Sequence, residues 1–379
     1  MPPALLPGPE TSIQNTDNNI RGMDANVYEL EPSVSPLVSL SDAMGSSESG
    51  NPMVEWLEDE SLPRITTSSG AAAAATTIPV AANIFRVGDV VRFPAQGFGM
   101  LVGAVAAGNI QVGTTGSLLP TGASVVLPAG AEVYLVASAQ PEGDTLRPIV
   151  TQQLVTQFNY DEIVRTPFGI TTTEMGTNHY GGEERARLRK KFGIEHARAI
   201  ESIAFFGIRN IVGTTRTAGG LLQYISTNVT ADTGTSPSLT ETDWQNWLKK
   251  AFRYGSERKT VFASPTVIAQ VEGFARGNLR VNNSVGEKYG IVMKQYVSGQ
   301  GVVDIIMHRD WNDSPTFGGY AFMVDMEAVK LRPLRNVGST RLLPNRQAND
   351  YDGVKDEYRS ETCLQVIHER RHALLTNVV

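Results

Sequence analysis

The longest uninterrupted helical pattern in the chain covers residues 183–206, and it constrains the fold more than any other stretch. Its apolar residues recur every three, four or seven positions, which places them on one helix face: Leu188, Phe192, Ala199, Ile203 and Phe206. Glu183 and Glu184 lie in the first turn, where negative charge complements the helix dipole, and Gly207 is a suitable stop. At the usual rise per residue this helix is roughly 36 Å long. It is either a solvated amphipathic helix that crosses a sheet or a structural spine of the fold.

The segments before this helix are rich in β pattern. Residues 79–140 contain short valine-rich segments separated by glycines that recur every few residues. That pattern predicts a small β-sandwich or barrel, which we interpret as an inserted module. The alanine run 71–75 stands among Ser, Thr and Gly residues, so we interpret it as a flexible connector. Residues 148–180 alternate polar and apolar side chains and predict long strands leading into the helix.

The segments after the helix mix both patterns, so the chain as a whole predicts an α+β fold. Gly219 and Gly220 indicate a hinge. A second helix is predicted over residues 240–254, with Thr240 as its N-cap and Trp244 and Trp247 on its apolar face. A third helix is predicted over residues 264–277. Strands are predicted at 291–297, 302–307, 320–324, 329–334 and 362–367.

Charge is unevenly distributed along the 379 residues. The net charge is -6, and residues 1–50 carry seven acidic residues against Arg21 alone. The other 329 residues therefore balance, with 32 basic and 32 acidic side chains. A neutral body with an acidic arm is not the pattern of a nucleic-acid-binding protein. The arm is either a disordered tail or a segment that orders along a neighbouring subunit, with these apolar residues available for docking: Val27, Tyr28, Leu30, Leu37, Val38 and Leu40.

Several classes of protein are disfavoured by composition. Cys363 is the only cysteine, which excludes an intrachain disulfide and a metal cage built from cysteines. No apolar run is long enough to span a bilayer, so we expect no membrane partner. The first twelve residues have no basic region, so we expect no secretory signal.

One catalytic motif matches the chain. Residues 368–372 have the H-E-x-x-H spacing of zinc metalloproteases, in which His368 and His372 would bind zinc and Glu369 would act as general base. The preceding residues 362–367 alternate like a strand, and two arginines inside the motif would place positive charge beside the cation. A charged strand end is therefore favoured over this alternative. We predict no catalytic residue, no metal site and no cofactor.

Several short motifs occur together in one order: Glu55-Trp56-Leu57-Glu58-Asp59, a glycine-rich insertion closing at Glu142-Gly143, Asn159-Tyr160, Tyr180-Gly181-Gly182, Arg216-Thr217-Ala218-Gly219-Gly220-Leu221 and Glu361-Thr362-Cys363-Leu364. In this order they resemble the major capsid proteins of tailed bacteriophages with the Hong-Kong-97-like fold. The branch it resembles is the one with a β-domain inserted in the extended loop. The resemblance covers residues 50–379.

The resemblance implies a division of the chain. Its parts would be an N-terminal arm (1–53), an extended loop with adjoining peripheral-domain strands (54–78 and 141–180), the inserted β-domain (79–140), the spine helix of the peripheral domain (181–214), an axial domain (215–328) and the return strands of the peripheral domain (329–379). It also implies hexamers and pentamers in an icosahedral shell around double-stranded DNA.

The partners implied are a scaffolding protein, a portal, a possible decoration protein and packaged DNA contacted without sequence specificity. The location implied is the virion, after assembly in the host cytoplasm. A cellular nanocompartment shell of the same fold is the rival interpretation.

The basic residues on the spine helix are the candidate assembly contacts: Arg185, Arg187, Arg189 and Lys191. They would pair with acidic groups of an adjacent subunit or face packaged DNA. We favour subunit pairing, because a DNA-binding surface normally shows a basic excess and the body of this chain has none.

Lysine usage separates this chain from the type member of the family, which welds its subunits through an isopeptide bond from a lysine in the extended loop. Residues 1–189 contain no lysine, so the predicted arm, loop and insertion lack that nucleophile. We therefore expect a shell without covalent cross-links.

Overall fold

The computed structural model describes residues 35–39, 47–75, 77–94, 98–112, 125–139, 142–143, 151–179, 182–232, 239–278, 281–282, 294–312 and 314–378. The chain forms two compact units. The first combines residues 1–56 and 156–379, and the second is formed by residues 57–155.

The described helices are α1 (residues 36–39), α2 (Thr172–Gly176), α3 (Glu184–Phe206), α4 (Leu221–Tyr224), α5 (Glu241–Ala251) and α6 (Pro265–Asn278). The described strands are β1 (Met53–Glu58), β2 (Ile65–Thr67), β3 (Ala72–Ala75), β4 (Thr77–Pro79), β5 (Asp89–Phe93), β6 (Phe98–Ala106), β7 (Asn109–Val112), β8 (Val125–Leu127), β9 (Glu132–Ser138), β10 (Val155–Tyr160), β11 (Glu162–Thr171), β12 (Asn210–Val212), β13 (Thr215–Thr217), β14 (Val229–Ala231), β15 (Arg258–Ala263), β16 (Val281–Asn282), β17 (Lys294–Ser298), β18 (Gly301–Met307), β19 (Ala321–Val324), β20 (Val329–Pro333), β21 (Arg341–Leu343), β22 (Gly353–Val366) and β23 (Ala373–Thr376).

The second unit is built on a six-stranded sheet in the order β2-β9-β5-β6-β7-β4. Its two end strands meet, since the Ser69 N–H donates to the Pro79 carbonyl at 3.1 Å and the Ala81 N–H donates to the Thr67 carbonyl at 2.9 Å. These bonds close the sheet into a small barrel, which leaves no open sheet edge along these strands. Its interior is apolar and includes Ile78, Val91, Phe93, Val102, Ile110 and Val133.

The alanine run in this unit is a strand, and our prediction of a flexible connector was wrong. Ala72 pairs with Leu127 of β8 and is buried in the core. A run of alanines carries no alternation that a sequence pattern could detect, and its extended form depends on the partner strand. The barrel also takes in β2 and β4, residues that the sequence analysis assigned to the extended loop.

The first unit contains two larger sheets. In one, β22 is central, with β11 along one edge and both β20 and β21 along the other. The other has seven strands in the order β14-β23-β19-β15-β18-β17-β16. The strand predicted at 362–367 is the end of β22, which begins at Gly353. Residues 353–361 carry many charged side chains. They lack the alternation of apolar and polar residues by which a strand is predicted from sequence, so this part of β22 was not predicted.

Helix α3 occupies the predicted residues and ends at Gly207, whose N–H donates to the Ile203 carbonyl at 2.9 Å. Its buried face differs from the predicted one. The predicted stripe is half-buried, whereas the buried residues are His196, Ile200, Glu201, Ala204 and Phe205. Two of these are polar, so a search for apolar spacing could not place the face correctly.

An aromatic cluster joins the end of α3 to the seven-stranded sheet. The ring of Phe205 lies 5.3 Å from Phe262 on β15, 4.9 Å from Trp311 and 5.2 Å from Phe322 on β19, measured between ring centroids. All four side chains are buried. Edge-on and tilted ring contacts at these distances add to the stabilisation from burial alone.

Helix α5 confirms the second predicted helix. The Thr240 hydroxyl accepts a hydrogen bond from the Asp243 N–H at 3.2 Å, which is the predicted N-cap. Trp244 and Trp247 are fully buried against β15, β18 and β23 in a second core. Helix α6 begins at Pro265, as predicted.

The predicted glycine hinge is a site of close packing. A side chain on Gly220 would bring its Cβ within 2.6 Å of the Ile203 carbonyl oxygen, so only glycine fits there. The buried Asn159 side chain accepts from the Gly219 N–H at 2.8 Å and donates to the Leu364 carbonyl at 2.6 Å. One amide therefore ties this segment to β22, and the segment does not act as a free hinge.

The described part of the N-terminal arm packs on its own chain. The N–H groups of Leu37 and Val38 donate to the two carboxylate oxygens of the buried Glu201, each at 2.8 Å. Leu37 is fully buried, and the His308 Nε2 lies 3.5 Å from the same carboxylate. Both alternatives given above for the arm, a disordered tail or a segment that orders along a neighbouring subunit, were wrong for these two residues. Outside the described residues lie Val27, Tyr28, Leu30 and Leu40.

The Glu201 carboxylate is predicted to hold this part of the arm. Glu201→Gln keeps the size of the side chain but replaces one acceptor with a donor, at a cost of about 2 kcal/mol to the docked state. Hydrogen exchange of the Leu37 and Val38 amides is then expected to be roughly thirtyfold faster than in the wild type. Glu195→Gln, on an exposed position of α3, is the matched control and is expected to leave both rates unchanged. Equal protection in the two variants would contradict the prediction.

Candidate assembly surface

Two of the four predicted assembly residues on α3 bind a carboxylate of the same chain. The Arg185 Nη2 lies 2.7 Å from the Asp356 Oδ1, and the Arg189 Nε lies 2.9 Å from the Asp356 Oδ2. Asp356 is buried on β22, and its Oδ1 also accepts the N–H of Asn345 at 3.0 Å. These bonds fasten the first half of α3 to the sheet.

This cluster determines the ionisation of Asp356. Burial opposes the charged carboxylate, but the hydrogen bonds from Arg185, Asn345 and Arg189 outweigh it and lower the Asp356 pKa to about 2. The carboxylate is therefore ionised at neutral pH, where it pairs with two guanidinium groups.

The other two predicted residues have different surroundings. Arg187 is bonded to Glu184, one turn earlier on the same helix, with its Nε 2.8 Å from the Glu184 Oε2. Lys191 is exposed. The structure thus places Arg185, Arg187 and Arg189 in ion pairs within one chain, and an assembly role for the group stays a prediction.

His196 lies between α3 and the sheet. It is buried, with its Nδ1 2.9 Å from the Thr166 Oγ1 and its Nε2 2.7 Å from the Ser360 Oγ. Burial lowers the pKa of the imidazole. A neutral ring with one donor and one acceptor suits two hydroxyl partners, so this residue links α3 to both β11 and β22.

The face of the sheet opposite α3 carries a second set of arginines, which the sequence analysis did not single out. We define the arginine face as Arg165, Arg216, Arg341, Arg346 and Arg359, together with the carboxylates Glu357 and Glu361. Side chains alternate between faces along a strand, so Asp356 and Tyr358 point to α3 while Glu357 and Arg359 point away. The only signal in the sequence was the cluster of charged residues at 355–361.

The H-E-x-x-H residues do not form the helix that zinc binding would require. Residues Glu369–Arg371 form a single 3₁₀ turn, and His368 has a left-handed backbone with φ of 53°. The Glu369 carboxylate accepts the N–H groups of Ser226 and Thr227 at 2.9 and 3.0 Å. His372 is fully buried, and its Nδ1 accepts the Asp325 N–H at 3.2 Å. The side chains of Glu369 and His372 therefore hold backbone groups of the fold.

The local electrostatics agree with that assignment. Burial lowers the pKa of His372 to about 4, so the ring is neutral and can accept the hydrogen bond. Across the described ranges, no three His, Cys, Asp or Glu residues are grouped so that they could hold a metal ion.

Cys363 is buried on the central strand β22, beside Asp161. Burial raises the pKa of the thiol, and the neighbouring Asp161 charge raises it further. A buried thiol that stays protonated is neither a nucleophile nor accessible to a second chain.

The fold of the chain is similar to that of solved structures from phages and from a related particle. A structure from Microbacterium phage Oxtober96 matches 97% of this chain and 98% of its own, with 11% identity and a TM-score of 0.52. The capsid of a native GTA particle matches 98% of this chain and 100% of its own, with 9% identity and a TM-score of 0.52. A structure from Mycobacterium phage Bobi matches 97% and 98%, with 8% identity and a TM-score of 0.51. At these identities the likeness concerns the fold alone.

The family is shown by the sequence. The model of the SU10 major capsid protein family matches residues 10–379, and the chain belongs to this family. It is a structural capsid protein of a virion. No curated protein matches the sequence. Within the part of the chain that the structure describes, every helix is too short or too polar to cross a membrane.

The Asp356 cluster is predicted to stabilise the subunit in a pH-dependent way. A folded pKa of about 2 lies below the unfolded value of 3.8, so the stabilisation is present above about pH 4 and lost as the pH falls through 2. The difference corresponds to about 2 kcal/mol. Asp356→Asn is therefore expected to lower the free energy of unfolding by about 2 kcal/mol at pH 7, with the deficit shrinking between pH 4 and pH 2.

Urea unfolding of the unassembled subunit at several pH values measures this effect. Asp310→Asn is the matched control, because Asp310 pairs with Arg198 at a more exposed position and its loss is expected to cost less than about 1 kcal/mol. A deficit for Asp356→Asn that does not change with pH would contradict the assignment.

Proposed function

We propose that this chain assembles into hexamers and pentamers of an icosahedral head shell that encloses the double-stranded DNA of a tailed phage. The observation that carries the proposal is the family match over residues 10–379, together with a fold shared along the whole chain with phage and particle structures. Assembly would take place in the host cytoplasm with a scaffolding protein and a portal. A decoration protein and non-specific contact with packaged DNA complete the proposed set of partners.

Exposed apolar side chains support a protein that works among copies of itself. Ile208 and Val212 are 71% and 69% exposed at the β12–β13 hairpin, and Leu57 is 63% exposed at the end of β1. An isolated two-stranded hairpin is only marginally stable in water. Exposed apolar side chains grouped on such an element are typical of a contact surface. The hairpin base is held by Arg216, which donates to the Asp161 carbonyl at 3.3 Å and to Glu361 at 3.1 Å.

The division of the chain follows the same proposal. Residues 1–53 form the arm, 54–78 and 141–180 the extended loop with adjoining strands, 79–140 the inserted domain, and 181–214 with 329–379 the peripheral domain. Residues 215–328 form the axial domain that meets its copies at the centres of hexamers and pentamers. The core around Trp244 and Trp247 includes side chains of β15 and β18 from this range, together with side chains of β23 from residues 329–379.

A role for the α3 cations in assembly remains part of the proposal. Arg185 and Arg189 already compensate Asp356, so replacing them would disturb the subunit itself. Lys191 is exposed and is the residue of this group best placed to pair with an adjacent subunit.

Assembly is the direct test of the proposed function. Purified chain supplied with its scaffolding protein is expected to form closed shells in electron micrographs, with rings of five and six subunits. Sedimentation measures the assembled fraction. A folded chain that stays monomeric under these conditions would contradict the proposal.

The shell is predicted to hold together without covalent bonds between subunits. Residues 1–189 contain no lysine for an isopeptide weld, and Cys363 is buried on an internal strand. Boiling mature particles in detergent without reducing agent is therefore expected to release one band near 41.0 kDa. A ladder of covalent pentamers and hexamers would show a different weld chemistry.

A further inference from the structure

Three arginines lie side by side across three neighbouring strands of the arginine face. Arg359 on β22 is the register partner of Arg165 on β11 along one edge and of Arg341 on β21 along the other. Like charges directly opposite each other destabilise a sheet. This row therefore requires anions nearby.

The carboxylates of the same chain neutralise only part of the positive charge of these arginines. Glu357 accepts from Arg165, whose Nη2 lies 2.8 Å from the Glu357 Oε2, and Arg346 approaches the same oxygen at 4.0 Å. Glu361 pairs with Arg216 and Arg359, each at 3.1 Å. Within this set, five guanidinium groups face two carboxylates, so the seven side chains carry a net charge of +3. Arg165 and Arg346 remain 56% exposed, so an outside anion can reach them.

A group of negative charges lies elsewhere on the chain, in a short segment at residues 55–64. We define this as the acidic segment. Its sequence charge is -3, from Glu55, Glu58, Asp59 and Glu60 against Arg64. Glu58 and Glu60 have partners within the chain, so the carboxylates offered to another copy are Glu55 and Asp59. Glu55 and Asp59 are exposed, and two apolar side chains between and beyond them, Leu57 and Leu62, are 63% and 51% exposed.

We propose that the acidic segment of one copy binds the arginine face of the next copy, an inference that rests on the proposed shell function. Residues 51–379 carry 32 basic and 32 acidic side chains, so the positive face has its counterpart on the same chain. A surface built for phosphates would leave a basic excess over the body. Ile163 is 45% exposed beside Glu361 and offers apolar contact to Leu57 or Leu62.

The contact joins two different surfaces, so it is heterologous. Repeated head-to-tail contacts of this kind generate closed rings when the rotation closes. The same pairing can therefore serve rings of five and of six copies, provided that the segment adapts to small changes in angle.

Charge-swap variants test the contact. One variant reverses the face (Arg341→Glu with Arg346→Glu), a second reverses the segment (Glu55→Arg with Asp59→Arg), and a third combines all four changes. Arg341 and Arg346 are chosen because Arg341 donates to a backbone carbonyl, that of Val337 at 2.9 Å, and Arg346 approaches Glu357 only to 4.0 Å. The matched control reverses two exposed charges at the end of α5, Lys249→Glu with Lys250→Glu.

Shell yield is measured by sedimentation in the reaction that assembles the wild type, and the Tm of each unassembled subunit is measured in parallel. Each double reversal is expected to lower the shell yield about tenfold or more, and the combined variant to recover most of it, with Tm unchanged. The control is expected to stay within about twofold of the wild type. If the face reversal lowers Tm, the variant Arg341→Gln with Arg346→Gln replaces it, and a loss of shell yield with Tm unchanged is again the expected result.

Three results would overturn the inference. Both reversals could assemble normally, or the combined variant could fail to recover. A face reversal that assembles normally but loses affinity for a DNA duplex would show that the face binds phosphates. Failure of the wild type to assemble would instead remove the proposed function, and the inference with it, so the two failures are distinguishable.

Discussion

The register of β22 is the constraint on which the first unit depends. This strand pairs with β11 along one edge and with β20 and β21 along the other. Its two faces have different contacts. One face presents Asp356, Tyr358 and Ser360 to α3, and the other presents Glu357 and Arg359. A slip by one residue would exchange the faces and place Arg359 against the arginines of α3. Pairing on both edges resists that slip.

Buried carboxylates connect the parts of this unit. Asp356 receives α3 through two arginines, and Glu201 receives the arm through two backbone N–H groups. A carboxylate removed from water must be compensated by charge or by hydrogen bonds, so each such site holds its donors in one geometry. Much of the basic charge on α3 therefore serves the subunit fold. The charge left for neighbours lies on the opposite side of the sheet.

This division gives a physical account of a shell protein whose body is electrically neutral. The apolar residues exposed on the β12–β13 hairpin and the end of β1 supply non-polar contact area. The arginine face and the acidic segment supply orientation, since charge complementarity sets the register of an interface more than its affinity. Many such non-covalent contacts, repeated around a closed shell, would take the place of a covalent weld.

The sequence by itself determined the elements whose signals are local. The turns of α3 and α5, the Thr240 cap, the buried tryptophans and the absence of lysine before residue 190 could all be read from neighbouring residues. Only the tertiary structure decided which face of β22 meets α3, why His196 is buried and why the alanine run is a strand. Those outcomes depend on partners far away in the chain, and Asn159 and Leu364 are in contact although they lie 205 positions apart. The free energy that stabilises a strand comes largely from its contacts with the partner strand, so the residues next to it in sequence do not reveal it.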